Sequence, residues 1–357
     1  SRHGAARGSR PGVPRGSMDP TLLAVIADAK TPMARGFEEL CGGLTAEAEL
    51  IVANSLQEFQ AAAGHKLCQV KGIILGAFAG GDPSVVEALW THCPGVRWVH
   101  SLAAGVDSLV PVLRRLPRME GVAVTNARGA FSSSLAEYSL AAMLHFNKRV
   151  PHIQENKRRK AWDKFVMPEL RGLSVGFVGF GDIGQTTARL CRAFGMRILA
   201  LRRRKSGASE KCDADEVFGI DDATERLELF RRSDFVVCSL PGTPQTRHFC
   251  GAAEFAAMKE TAVFISIGRG VCVDESALCE ALHSGGIAGA ALDVFEVEPL
   301  PESSPVWGAP NTLLTSHNAD FTQTYLKDSW EVFYQKLREL REAPESFKST
   351  VSLEGGY

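Results

Sequence analysis

The sequence lacks a long apolar run. No uninterrupted hydrophobic stretch reaches the roughly 18 residues that read as a membrane-spanning helix, so no membrane association is expected. A surplus of either charge is missing too: 40 Lys and Arg face 41 Asp and Glu, for a formal net charge of -1. No basic field therefore points to nucleic acid. The nine cysteines are odd in number and form no CxxC pair, and several, such as Cys191 and Cys238, lie inside apolar runs. They read as reduced core thiols of a cytoplasmic protein, not as a disulfide framework or a zinc site, and no metal is expected. Residues 1–17 contain no acid and little that packs. They are expected to be a disordered leader ahead of a start at Met18. Organelle import by this arginine-rich stretch is the alternative reading.

What is present is a globular composition, 357 residues with 45% hydrophobic, which is long enough for two domains. The stretch Leu173–Arg202 organises the chain. An apolar run, Leu173 to Val178, suits one buried strand. Gly179-Phe180-Gly181-Asp182-Ile183-Gly184 follows, then a helical pattern closed by Gly195, then a second strand over Arg197–Leu201. Strand, glycine turn, helix and strand together place a dinucleotide pyrophosphate at a helix N-terminus. Gly179 permits the tight turn, Gly181 a close backbone approach to phosphate, and Gly184 close packing of the helix on the sheet. A turn that only packs is the alternative. An acid closing the second strand would bind the ribose 2′-hydroxyl of NAD. Here stands Arg202, followed by Arg203, Arg204 and Lys205. Guanidinium groups pair with a 2′-phosphate, so NADP is expected as the preferred cofactor, with NAD retained as the second choice. A solvated charge run is the alternative to that reading.

Elsewhere, strands are expected over Leu22–Ala27, Lys71–Phe78, Val96–Ser101, Val122–Asn126, Phe235–Leu240, Ala262–Ile267, Ile287–Val294 and Thr312–Thr315. Helices are expected over residues 46–63, Ser84–Thr91, Ala223–Arg232 and Glu275–Ser284, with a last one from about Phe321 to Glu342. Another starts near Ser134, where Ser134 and Glu137 fit a capping box. Residues 148–171 read as a surface arm anchored by Trp162. Alternating strands and helices imply parallel sheets, with ligands beyond the carboxyl ends of the strands. Arg269, Glu298 and His317 then follow three successive strands. Each alone is weak: a lone histidine is more often structural, and an arginine between glycines is usually a surface turn. Three on one sheet edge are harder to dismiss.

The motifs LAAGVD at 102–107, VGFGDIG at 178–184, SLPGTPQT at 239–246, SIGRG at 266–270, ALDVFEVEPLP at 291–301 and SHNAD at 316–320 occur in this order. With them the chain resembles the D-isomer-specific 2-hydroxyacid dehydrogenase family over about residues 70 to 325. The resemblance implies an α/β fold of two Rossmann-like, doubly wound parallel-sheet domains. A dinucleotide-binding domain, 124–314, is inserted into a flavodoxin-like substrate domain, 18–123 plus 315–357. It implies Arg269, Glu298 and His317 as the catalytic set. Cofactor contacts fall to Gly179, Gly181, Asp182, Ile183, Gly184, Arg202, Arg203, Arg204, Leu240, Pro241, Thr246, Ile267, Gly268, Arg269, Asp293 and His317. Substrate contacts fall to Ala103, Ala104, Gly105, Val106 and Arg269. A homodimer is implied. Two departures stand out: Ser316 replaces the proline common before the histidine, and Arg202 replaces the common acid. The arginines are similar to the basic loops of NADP-linked glyoxylate and hydroxypyruvate reductases.

The expected reaction is hydride transfer between NAD(P)H and a small 2-keto acid, giving the D-2-hydroxy acid, with His317 as acid/base. The alternative is a non-catalytic regulator of the same fold that senses dinucleotide. A sensor needs no proton donor, so the Arg, Glu and His set speaks against it. The Glu298–His317 pair likewise speaks against formate oxidation. The stretch after residue 325 is too short for the regulatory extension of long phosphoglycerate dehydrogenases. Substrate size is expected to depend on loops near 78–83 and 102–106 and on Trp307, Phe321 or Trp330.

Overall fold

The computed structural model describes residues 20–28, 40, 47–76, 80–203 and 213–357. The leader 1–17 and Arg204 lie outside the described residues.

The first sheet uses β1 (Thr21–Ile26), β2 (Ala48–Ala53), β3 (Gly72–Leu75), β4 (Trp98–Ser101) and β5 (Ala123–Asn126), all parallel, in the order β2-β1-β3-β4-β5. That is the flavodoxin-like order. Its crossovers include α1 (Leu56–Ala63), α2 (Pro83–Trp90) and α3 (Leu109–Leu113). Asp82 caps α2 by accepting from Ser84 N at 2.8 Å, and Pro83 follows at the first helical position, where its missing N–H costs nothing. Residues 46–63, expected as helix, divide into β2 and α1 at Ser55, which caps α1. Ladder pairing with β1 overrides the helix propensity of the alanines and glutamates.

Two long helices, α4 (Ser132–Asn147) and α5 (Val150–Arg159), join the sheets. Ser134 lies inside α4 and no side chain caps that helix. The expected capping box is therefore absent, because the Ser134 hydroxyl donates to the Ala319 carbonyl instead. The arm after α5 is corrected as well: Trp162 is 99% exposed and anchors nothing among the described residues.

The second sheet is formed by β6 (Ser174–Val178), β7 (Arg197–Arg202), β8 (Glu216–Gly219), β9 (Phe235–Cys238), β10 (Val263–Ser266), β11 (Gly289–Leu292) and β12 (Thr312–Leu314). The order is β12-β11-β10-β9-β6-β7-β8, again parallel. Helices α6 (Asp182–Ala193), α7 (Ala223–Arg232), α8 (Ala252–Ala257) and α9 (Glu275–His283) flank it. Strand order reverses where β6 lies between β7 and β9, so a crevice opens beyond the carboxyl ends of β6 and β9.

The last helix, α10 (Tyr325–Glu342), returns to the first sheet. Its Trp330, Phe333 and Leu337 share a buried cluster with Leu23, Val25, Ile74 and Trp98. Trp98 stacks on Phe333 with centroids 5.5 Å apart and donates from Nε1 to Thr125 Oγ1 at 2.8 Å. Trp330 is thus core and not a pocket wall. The last helix thus packs on the sheet built by the first strands, while β6 to β12 form the second sheet. Among the described residues all cysteines are free, only Cys68 being exposed, and no metal-ligating cluster occurs. No helix among the described residues is long and apolar enough to cross a membrane.

Candidate active site

The site lies where the carboxyl ends of both sheets face each other. On the nucleotide side, β6 turns at Gly179, whose φ of 92° is the left-handed conformation that glycine adopts without strain. Gly184 brings α6 against that turn: a Cβ on it would stand 2.8 Å from the Gly179 carbonyl oxygen. Gly181 leaves open space: among the described residues, the group nearest the position of its absent Cβ is Arg128 Nη2 at 3.7 Å. This opening at a helix N-terminus fits a pyrophosphate. Asp182 begins α6 and is held by the Ser132 hydroxyl, while Ile183 packs partly buried. Arg202 ends β7, and the guanidinium of Arg203 lies 4.9 Å from the centre of the Tyr357 ring.

The neighbouring residues build the wall of the crevice. Leu240 and Pro241 follow β9, and their carbonyls face Cys272 Sγ. Thr246 Oγ1 donates to the Pro241 carbonyl at 2.6 Å and accepts from Thr243 N at 2.8 Å, which fixes the turn. Ile267 is buried at the end of β10. Asp293 is only 1% exposed and organises the histidine loop. Its Oδ1 lies 2.6 Å from Thr315 Oγ1 and accepts from Asn318 N and Ala319 N at 3.1 and 3.2 Å. Its carbonyl accepts from His317 N at 2.8 Å.

Arg269 leaves β10 between two glycines because its backbone is pressed on both sides. A Cβ on Gly268 would meet the Leu240 carbonyl oxygen at 2.5 Å, and one on Gly270 the Phe295 carbonyl at 1.9 Å. The arginine is therefore no loose surface turn. Its Nε donates to Asp107 Oδ2 at 2.9 Å and its Nη1 to the Gly268 carbonyl at 3.0 Å.

Glu298 and His317 form a bonded pair, Oε2 to Nδ1 at 2.7 Å, and Phe295 N donates to Glu298 Oε1 at 2.9 Å. Burial pushes the Glu298 carboxyl upward. The His317 hydrogen bond and the Phe295 amide, with the charges of His317 and Arg269, outweigh this and hold it below the ordinary value. The Glu298 hydrogen bond raises the His317 imidazole above its ordinary value against burial; Arg269 opposes the shift and Asp320 assists it. The second ring nitrogen is left for chemistry, with the imidazole side chain 38% exposed.

On the other side of the cleft, the loop 102–107 leaves β4. Ala103 N donates to Ser101 Oγ at 3.1 Å, so this amide already has an acceptor. The amides of Ala104, Gly105 and Val106 have no acceptor among the described residues. Trp307 and Phe321 are 54% and 53% exposed, and residues 78–79 lie outside the described residues. Asp107 is the site residue that reading the sequence missed; it stands in the LAAGVD motif but carried no assigned role.

The family described as "D-isomer specific 2-hydroxyacid dehydrogenase, NAD binding domain" matches residues 140–319. The chain is 37% identical over 245 residues to a glyoxylate reductase of Aeropyrum pernix, covering 66% of this chain and 70% of the relative. This chain belongs to the D-isomer-specific 2-hydroxyacid dehydrogenase family. Members are NAD(P)-dependent oxidoreductases acting on a CH–OH group. A D-3-phosphoglycerate dehydrogenase of Methanocaldococcus jannaschii is 34% identical over 223 residues, but only 41% of that longer relative is covered. The NADPH-dependent glyoxylate/hydroxypyruvate reductase of Sinorhizobium meliloti, solved with NADP and sulfate, superposes with a TM-score of 0.77. It is 25% identical, and the match covers 94% of this chain and all of that one. Both sheets of this chain thus have a solved counterpart.

Proposed function

We propose that this chain reduces small 2-keto acids such as glyoxylate or hydroxypyruvate to D-2-hydroxy acids, with NADP(H) preferred. The observation that carries the reading is the 2.7 Å Glu298–His317 pair beside the anchored guanidinium of Arg269. Gly179, Gly181, Asp182, Ile183 and Gly184 would hold the pyrophosphate. Arg202 and Arg203, with Arg204, would take the 2′-phosphate. Leu240, Pro241, Thr246, Ile267, Gly268 and Asp293 would line the rest of the cofactor seat. When bound, the reduced nicotinamide supplies hydride to the keto carbon.

Arg269 pairs with the substrate carboxylate through its free N–H groups and draws charge toward the adjacent carbonyl oxygen. The amides of Ala104, Gly105 and Val106 complete the seat for that carboxylate. As charge gathers on the carbonyl oxygen, His317 donates the proton, and Glu298 keeps the imidazole protonated and aimed. In the reverse direction His317 takes the hydroxyl proton. A dinucleotide sensor would have no use for this acid/base pair. Glyoxylate reductase relatives and the NADP-bound neighbour support the substrate and cofactor classes. Residues 124–314 would act as the dinucleotide domain and the flanking segments as the substrate domain. The exposed arm around Trp162 would join two copies in a homodimer.

His317→Ala is expected to slow NADPH oxidation by glyoxylate by about 10²- to 10⁴-fold while NADPH still binds. An unchanged turnover number in that variant would remove His317 from the reaction.

A further inference from the structure

Arg269 belongs to the second sheet, and Asp107 to the segment that leaves the first. Their 2.9 Å hydrogen bond therefore spans the cleft between the domains. Both partners are part-exposed, at 31% and 47% for the side chains, so the pair contributes little to holding the fold together. What it controls is direction. Two of the five guanidinium N–H groups are committed, Nε to Asp107 and one on Nη1 to the Gly268 carbonyl. These two anchors set the plane of the group. Nη2 is thereby laid over Gly105, 1.6 Å from where a Cβ would stand, next to amides without acceptors. Gly242 closes the pair from the β9 side: a Cβ there would be 3.3 Å from both Asp107 Oδ1 and Arg269 Cγ. Neither glycine can be exchanged without pushing on this arginine or its partner.

We infer that Asp107 is a positioning residue that turns Arg269 into its substrate-binding orientation. The inference rests on the proposed keto-acid reduction. A free arginine side chain samples many rotamers, and ordering it on substrate binding has an entropic cost. Anchoring Nε from the opposite domain meets that cost before substrate binds and keeps the Nη edge open for a planar carboxylate.

A double-mutant cycle tests this. Asp107→Ala is expected to lower kcat/KM for glyoxylate by on the order of 10- to 100-fold, with the NADPH dissociation constant and the thermal midpoint unchanged. Asp107→Asn, which keeps an acceptor oxygen, should recover most of the loss. In an Arg269→Ala background, Asp107→Ala should add nothing further, because the residue it acts through is gone. Independent, multiplying effects of the two substitutions would overturn the inference while leaving keto-acid reduction intact. So would a fall in thermal midpoint or NADPH affinity that parallels the loss of activity. A wild-type protein that reduces no keto acid would overturn the functional reading and this inference together.

Discussion

His317 has a φ of 50°, a left-handed conformation that few side chains adopt. It is held there by Asp293, whose carbonyl takes the His317 amide and whose carboxylate takes the next two amides. The strain is local to the proposed proton donor, where the surrounding bonds over-determine the backbone. Because the Glu298 hydrogen bond raises the His317 imidazole above its ordinary value, the protonated form persists to higher pH than in a free side chain, and with His317 as the proposed donor keto reduction should fall on the alkaline side. Folding linkage has the same sign: the raised imidazole stabilises the fold below its ordinary value and loses that contribution as pH rises through the folded one. The lowered Glu298 contributes above its ordinary value and loses it as pH falls. Glu298→Gln should therefore move the alkaline limb of the kcat/KM profile to lower pH, and a limb that stays put would remove Glu298 from this role. Gly105→Ala is a second test at this scale, since its Cβ would fall 1.6 Å from Arg269 Nη2. Glyoxylate reduction should drop at least 10-fold through displacement of the arginine, with NADPH binding retained in a fluorescence titration.

Among the elements, the turn between β6 and α6 and the end of β7 would act as one cofactor seat. The parallel pairing of β6 with β7 places Arg202 one residue beyond the rung that joins Val178 to Leu201. The glycine turn and the basic cluster are thus held at a fixed separation by one ladder. Arg202→Asp with Arg203→Ser is expected to raise the NADPH Michaelis constant by at least 10-fold more than the NADH constant, through loss of charge-assisted bonds to the 2′-phosphate. An unchanged ratio in steady-state assays with the two cofactors would end the NADP reading. Elements whose burial is complete were legible from composition alone: β3, β4, β9, β10 and β11 are buried along their whole length. β2 was not, because Ala48–Ala53 is buried at only three of its six positions, without regular alternation, and its strand state depends on pairing with β1. The start of α4 was misread because Ser134 finds its partner in Ala319, far along the chain.

At the scale of the whole molecule, the arm between α5 and β6 exposes Trp162, Val166 and Met167 at 99%, 87% and 46%. Large apolar side chains grouped in this way suit burial against a second copy. Trp162→Asp should lower the mass in sedimentation equilibrium to that of one chain, and a variant that stays dimeric would place the interface elsewhere. The sequence by itself determined the parallel α/β class, the glycine turn and the trio Arg269, Glu298 and His317, because each depends on short-range patterning or on motifs at strand ends. Only the tertiary structure decided what those residues touch. Which acid anchors Arg269 and that Trp330 is core are set by contacts between segments more than 150 residues apart. Local sequence carries no record of such distances; they exist only once both sheets and the returning α10 have packed together.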